Sequence, residues 1–106
     1  MGESTGQIVF INSHDYVSDV TGQEVVGCLA FMKTEDGKDA ALFTQSLRLQ
    51  HTLEMAYATK RKLTVDYFET EGPLAEQQRL ITTATDAEPA GGFEGPFTLK
   101  AMWTLE

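Results

Sequence analysis

The chain has 106 residues, of which 42% are hydrophobic, and it carries 16 acidic against eight basic residues. This length and composition indicate one folded domain over residues 1–106, with a core of its own. The formal net charge of −8 would repel a phosphate backbone, so we expect no nucleic-acid partner. No apolar run approaches the roughly 20 residues of a membrane span, so no span is predicted.

Cys28 is the only cysteine, so the chain cannot form an intrachain disulfide. It lies within an apolar run, and we expect a small buried core residue rather than a reactive thiol. The lack of disulfides favours a cytoplasmic location. The N-terminus has no basic region followed by an apolar segment, hence no secretory signal; export stays open if a signal has been removed.

Three strands are predicted in the first half of the chain. Residues 7–12 form a β-branched and aromatic run, which a polar connection over 14–21 follows. Residues 24–33 have two apolar faces, Val25, Leu29 and Phe31 on one and Val26, Cys28, Ala30 and Met32 on the other, which is typical of a barrel strand. Gly27 within it suggests a bend or bulge. A hairpin at 35–37 leads to a strand over 39–44.

One amphipathic helix is predicted over residues 46–60, with Thr44 or Ser46 as its N-terminal cap. Leu49, Leu53, Ala56 and Tyr57 recur at spacings of three and four, so we expect this face to pack on the barrel. A second apolar group on another side of the helix consists of Leu47, Met55 and Ala58. A helix with two apolar sides has more surface to bury than one sheet covers, which predicts a partner.

The sequence from residue 62 onward predicts strands and loops. Residues 62–69 alternate, with Leu63, Val65 and Tyr67 predicted to point inward. The β-branched run 80–84 predicts a further strand, and residues 86–96 form a loop. The final strand starts at Phe97, and its aromatic side chains, together with Phe93 and Trp103, either complete the core or form an edge for another subunit.

The order of these elements predicts a mainly β fold with one α-helix, an OB-like antiparallel barrel of five to six strands with its helix inserted midway. The helix segment Thr52-Leu-Glu-Met-Ala-Tyr-Ala-Thr59 resembles the central helix of the pentamer-forming B subunits of cholera-type bacterial toxins. That resemblance implies a ring-shaped homo-oligomer with the helices lining its centre. It implies no glycan-binding residues, because no tryptophan follows the strand after the helix, and the disulfide of that family has no counterpart.

No catalytic, cofactor or metal motif is present, so no site residue is assigned to these roles and no cofactor is expected. His14 and His51 lack the spacing of metal ligands. The basic run Lys60, Arg61 and Lys62 lies where the helix should end, where it compensates the helix dipole or forms a site for an acidic partner. The glycines of segment 91–95 belong either to a flexible ligand-contacting loop or to an ordinary connector.

Two functions of different classes follow from these observations. The first is a non-enzymatic binding or assembly module, a ring-forming homo-oligomer whose ligand is a glycan or a protein. The second is an acidic inhibitor or adaptor that docks on a basic surface and uses its charge for steering. Fold alone does not choose between them, because OB barrels host many unrelated activities.

Overall fold

The computed structural model describes residues 2–37, 39–69, 72–84 and 94–104. Over these ranges the chain forms five strands and two helices. In chain order they are β1 (Gly2–Val17), β2 (Glu24–Thr34), β3 (Ala40–Thr44), α1 (Leu47–Thr59), β4 (Lys62–Glu69), α2 (Pro73–Ala84) and β5 (Glu94–Thr104).

The five strands close into a barrel in the order β1-β2-β3-β5-β4. Four of the neighbouring pairs are antiparallel, whereas β3 and β5 run parallel, so the prediction of an entirely antiparallel barrel was wrong at this pair. Helix α1 lies between β3 and β4 in the chain. A mainly β, OB-like barrel with a midway helix is therefore confirmed.

The inner face of the barrel holds the main core. β2 contributes one of its two predicted apolar faces, on which Cys28, Ala30 and Met32 are completely buried. Leu63 and Val65 of β4 lie in the same cluster, and Tyr67 packs against it, as their alternation predicts. Alternation along each strand therefore encodes which residues fill the barrel.

Helix α1 closes one side of this core. Ser46 is its N-terminal cap, since its hydroxyl accepts a hydrogen bond from the Leu49 amide at 3.3 Å. Leu53 and Ala56 are buried, but Tyr57 is 44% exposed, so the prediction that Tyr57 belongs to the core face was wrong. Tyr57 follows Leu53 by four residues, and four residues of α-helix turn about 40° more than a full turn. Tyr57 is therefore rotated away from Leu53 on the side opposite to Ala56, towards solvent.

The outer face of β2 and β3 forms a second core beneath α2. Val25, Leu29 and Phe31 cluster there with Phe43 of β3 and Ile81 of α2. The predicted strand over 80–84 was wrong, because these residues complete α2. Its first turn starts at a proline and continues through strong helix formers, and the helix covers an apolar sheet face that would otherwise meet water.

A glutamine of α2 fixes the helix to the barrel. The Gln77 side chain accepts a hydrogen bond from the Val26 amide at 2.9 Å and donates one to the Glu24 carbonyl at 2.8 Å. Gln45 also donates to the Val26 carbonyl, at 2.9 Å. These side-chain amides satisfy backbone groups of Glu24 and Val26. Both residues precede Cys28, at which the pairing of β2 with β3 begins, so β3 offers them no partner.

The sequence predicts a bend or a bulge at Gly27, and the structure has no bulge there, since pairing with β1 continues through it and the irregularity lies between Ile8 and Phe10. Gly27 has another role. Its φ is +151°, and a Cβ there would come within 2.5 Å of the Phe43 ring. The glycine lets this aromatic side chain approach the backbone of β2.

Strand β1 is much longer than the predicted run of six residues. Residues 2–7 pair with β4, and residues 6–17 pair with β2. The first half of the predicted polar connection over 14–21, residues 14–17, therefore belongs to β1. The part of β1 after residue 12 pairs with the part of β2 up to Cys28, and together with the turn between them these segments form a hairpin that we call the β1–β2 arm. The molecule is 44 Å long and 25 × 22 Å across.

β5 lies within the barrel wall, hydrogen-bonded to β3 over its first part and to β4 over the remainder. The predicted edge is therefore excluded over residues 94–98, which pair with β3, whereas residues 99–104 pair with β4 alone. Phe97 stacks on Tyr67 with ring centroids 4.7 Å apart, which places it against the core. Phe93 and the side chain of Trp103 lie outside the described residues.

Candidate binding surface

A groove lies between the first half of β1 and the last turns of α1. Its volume is about 580 Å³, and we call it the α1–β1 groove. Gln7 holds its end together, because its side-chain amide donates to the Lys60 carbonyl at 3.0 Å. The groove is lined by Gln7, Ile8, Val9, Tyr57, Ala58 and Lys60.

The outward face of α1 carries the second apolar group that the helix spacing predicts. Leu47 is 80% exposed and Met55 is 52% exposed, and Ala58 is also exposed. A smaller hollow of about 260 Å³ adjoins Met55 and reaches Arg61. Together with Tyr57 and Val9, these side chains give α1 and its neighbouring strand an exposed apolar surface.

The three cations after α1 differ in their surroundings. Lys60 ends the helix in the left-handed conformation, at φ 57°, and its backbone amide donates to the Ala56 carbonyl. Lys62 forms an ion pair with Glu35 at 3.0 Å. In the described part of the chain, neither Lys60 nor Arg61 makes an ion pair, so both charges are available to an acidic group.

The tip of the β1–β2 arm is a second exposed apolar feature. Val20 is 92% exposed, and Tyr16 and Val17 are also exposed. The turn beneath Val20 is held by Ser18, whose backbone amide donates to the Gln23 carbonyl at 2.9 Å. The Ser18 hydroxyl accepts from the amides of residues 20 and 21, each at 3.3 Å, so the tip presents Val20 in a defined conformation.

A small cleft of about 130 Å³ lies between the base of the arm and the start of α1, and it includes Ser13, His14 and Asp15. Consecutive strand residues point to alternate faces, so these three cannot act together as nucleophile, base and orienting carboxylate. His14 Nε2 is buried and makes no hydrogen bond among the described residues. Gln50 donates to the Ser13 hydroxyl at 3.0 Å, which ties α1 to β1 here.

Cys28 is buried, as its apolar surroundings predict. Burial raises the pKa of its thiol, a hydrogen bond with Ser13 lowers that pKa, and the nearby charge of Glu54 raises it further. The net effect is a pKa above the ordinary value, because removal from water disfavours the thiolate.

We therefore expect iodoacetamide to alkylate Cys28 roughly an order of magnitude more slowly in the folded protein than in urea, because the thiolate is the reactive form. Equal alkylation rates in the two states would show that Cys28 is accessible.

The raised pKa of Cys28 also links the stability of the fold to pH. The neutral thiol contributes stability below the pKa of the unfolded chain's thiol, and this contribution is lost as the pH rises through the higher folded-state pKa.

Neither histidine belongs to a cluster of ligands. Within the described ranges, no three His, Cys, Asp or Glu side chains lie close enough together to hold a metal ion. His51 is exposed on α1. Most of the glycine-rich segment 91–95, read as a loop or a ligand contact, lies outside the described residues.

The sheet face that OB barrels use for oligonucleotides, over strands two and three, is covered by α2 in this chain. Neither helix in the described part has the length and apolar character that a membrane crossing requires. Among the described residues, the largest exposed apolar features are the α1 surface with its groove and the tip of the arm, and Phe68 is a further, single exposed residue at the end of β4.

No protein-family model, curated protein or solved structure matches the chain. The resemblance of the Thr52–Thr59 segment to toxin B subunits therefore stays a prediction.

Proposed function

We propose that the protein is a non-enzymatic binding and assembly module that forms a ring-shaped homo-oligomer through the outward surface of α1. The observation that carries this proposal is the exposure of large apolar side chains along one helix and its neighbouring strand. They are Val9, Leu47, Met55 and Tyr57. Single exposed apolar residues are ordinary on a soluble protein, but several on one helix and its neighbouring strand, two of them (Val9 and Tyr57) lining one groove, favour an interface.

The size of the chain and its resemblance to pentamer-forming subunits support the same proposal. A domain of 106 residues gains buried area by associating with its copies. The resemblance implies that the helices line the centre of the ring. The charge of −8 per chain opposes assembly, and salt reduces that repulsion. A glycan or a protein would then be the ligand of the assembled ring.

Molar mass measured by light scattering tests the proposal. We expect a mass of several chains at tens of micromolar in physiological salt, and a shift towards the 11.7 kDa monomer for Met55→Glu or Lys60→Glu. Lys100→Gln on β5 is the control, since Lys100 is exposed, lies outside this surface and loses only a long, partly exposed ion pair with Asp66 at 4.0 Å. A monomeric mass for the unmodified protein under these conditions would refute self-assembly.

The alternative, an acidic adaptor, is favoured by one specific feature. The chain has no lysine or arginine before Lys33, so the arm carries only negative charges, at Asp15, Asp19 and Glu24. Such an arm would be steered towards a basic partner. A monomeric protein whose capture of a basic partner weakens steeply with salt would favour the adaptor over the ring.

A further inference from the structure

We propose that the tip of the β1–β2 arm of one protomer docks into the α1–β1 groove of the next, so that copies of the chain join head to tail. This inference rests on the proposed function, because it names the interface through which the ring assembles. The occupant of the groove is a second copy of this chain, and the residues that enter it are Val17 and Val20.

The arm is suited to insertion because its tip is apolar and already ordered. Val20 is almost completely exposed, and the hydrogen bonds of Ser18 hold the turn on which it stands. An exposed apolar side chain on a fixed turn loses little conformational freedom when it is buried in a partner. The groove, at about 580 Å³, has room for the valines of the tip, and the exposed side chains of Val9, Tyr57 and Ala58 provide apolar contacts.

The charges around the two features are opposite. Asp15 and Asp19 flank the valines of the tip, and both are exposed. Lys60 lines the groove, and Arg61 follows it without an ion pair in the described part of the chain. Glu54 lies one helical turn before Ala58, and its negative charge repels the aspartates of the tip. The tip should therefore lie towards the Lys60 end of the groove. Exposed pairs of this kind add little affinity, but they select the orientation and speed the encounter.

The tip cannot reach the groove of its own chain. Val9 lines the groove and Val17 adjoins the tip, and both lie on β1. Eight residues of extended strand separate them by roughly 26 Å, and the pairing with β2 keeps this part of β1 extended. The two features can therefore meet only between molecules. Because they are different surfaces, the contact is heterologous, and repetition of such a contact closes a ring or extends a filament.

Two matched variants test the contact. Val20→Lys disables the tip, and Ala58→Lys fills the groove; both positions are exposed, and each change adds one positive charge. Each variant alone should have the mass of a monomer. A one-to-one mixture should form a dimer of twice the 11.7 kDa chain mass, because the intact tip of one variant meets the intact groove of the other. Glu69→Gln adds the same charge at the end of β4 and should leave the assembly unchanged.

Circular dichroism shows whether each variant is folded, and Val9→Lys on the other wall of the groove should behave as Ala58→Lys does. If the unmodified protein forms an oligomer but the mixed variants stay monomeric, the arm and groove are not the interface, although the proposed self-assembly survives. Variants that keep the unmodified mass overturn the inference as well. If the unmodified protein is a monomer, both proposals fail.

Discussion

We expect Gly6→Ala to lower the free energy of unfolding by about 3 kcal/mol, because no space exists for a Cβ at this position. Gly6 is buried where β1 passes from β4 to β2, and it pairs with Leu63 on one side and Thr34 on the other. A Cβ would clash with the Lys33 carbonyl oxygen and come within 2.8 Å of the Thr34 Cα. These are backbone atoms, so relief requires the strands to separate. Urea denaturation followed by circular dichroism measures the loss.

Gly22→Ala is the control for this substitution. Gly22 has a positive φ of 72°, and a Cβ added there would have no neighbouring atom within 4 Å, so the substitution introduces backbone strain without a clash. We expect it to cost about 1 kcal/mol. Equal effects of the two substitutions would show that close strand approach at Gly6 does not limit the stability of the barrel.

The barrel could be predicted because its strands carry their own pattern. β2 is apolar on both faces, and the structure buries one face inside the barrel and the other beneath α2. The alternation of Leu63 and Val65 similarly determined which side of β4 turns inward. In each case the signal is local, since neighbouring residues of one strand report which face is buried.

Helix α2 could not be recognised from the β-branched run 80–84, because short apolar runs fit a strand or a buried helix equally well. The deciding fact is tertiary. The apolar outer face of β2 and β3 would be exposed to water without a second layer, and Ile81 of α2 helps to bury it. The two apolar faces of β2 were the signal that a second layer exists, and the proline and helix formers of 73–79 were the signal for its type.

The exposed surface was only partly predictable. The spacing of Leu47, Met55 and Ala58 identified the outward face of α1, because the helix period is fixed. The groove depends on Val9, which reaches α1 only through the register of β1 with β4 and β2. The arm was missed because Tyr16, Val17 and Val20 stand among polar residues without a strand-like alternation, and because its pairing is made by the backbone, which leaves no trace in the side-chain pattern.

Leu53→Ala is expected to destabilise the protein by roughly 2–5 kcal/mol, as large-to-small substitutions in cores do. Leu53 is completely buried and lies in the inner core with Leu63, Val65 and Ala56. Its removal leaves a cavity between α1 and the barrel, whose closed wall resists collapse into it. Thermal or urea denaturation at a concentration that holds the oligomeric state constant measures the change.

Tyr57→Ala is the matched control on the same helix, and it separates core packing from surface contact. Because Tyr57 is 44% exposed, its removal should cost about 1 kcal/mol or less in the folded chain. Its ring lines the α1–β1 groove, so the same substitution should weaken self-association. A small loss for Leu53→Ala combined with a large one for Tyr57→Ala would show that the core face of α1 is centred on Tyr57 rather than on Leu53 and Ala56, and would displace the groove with it.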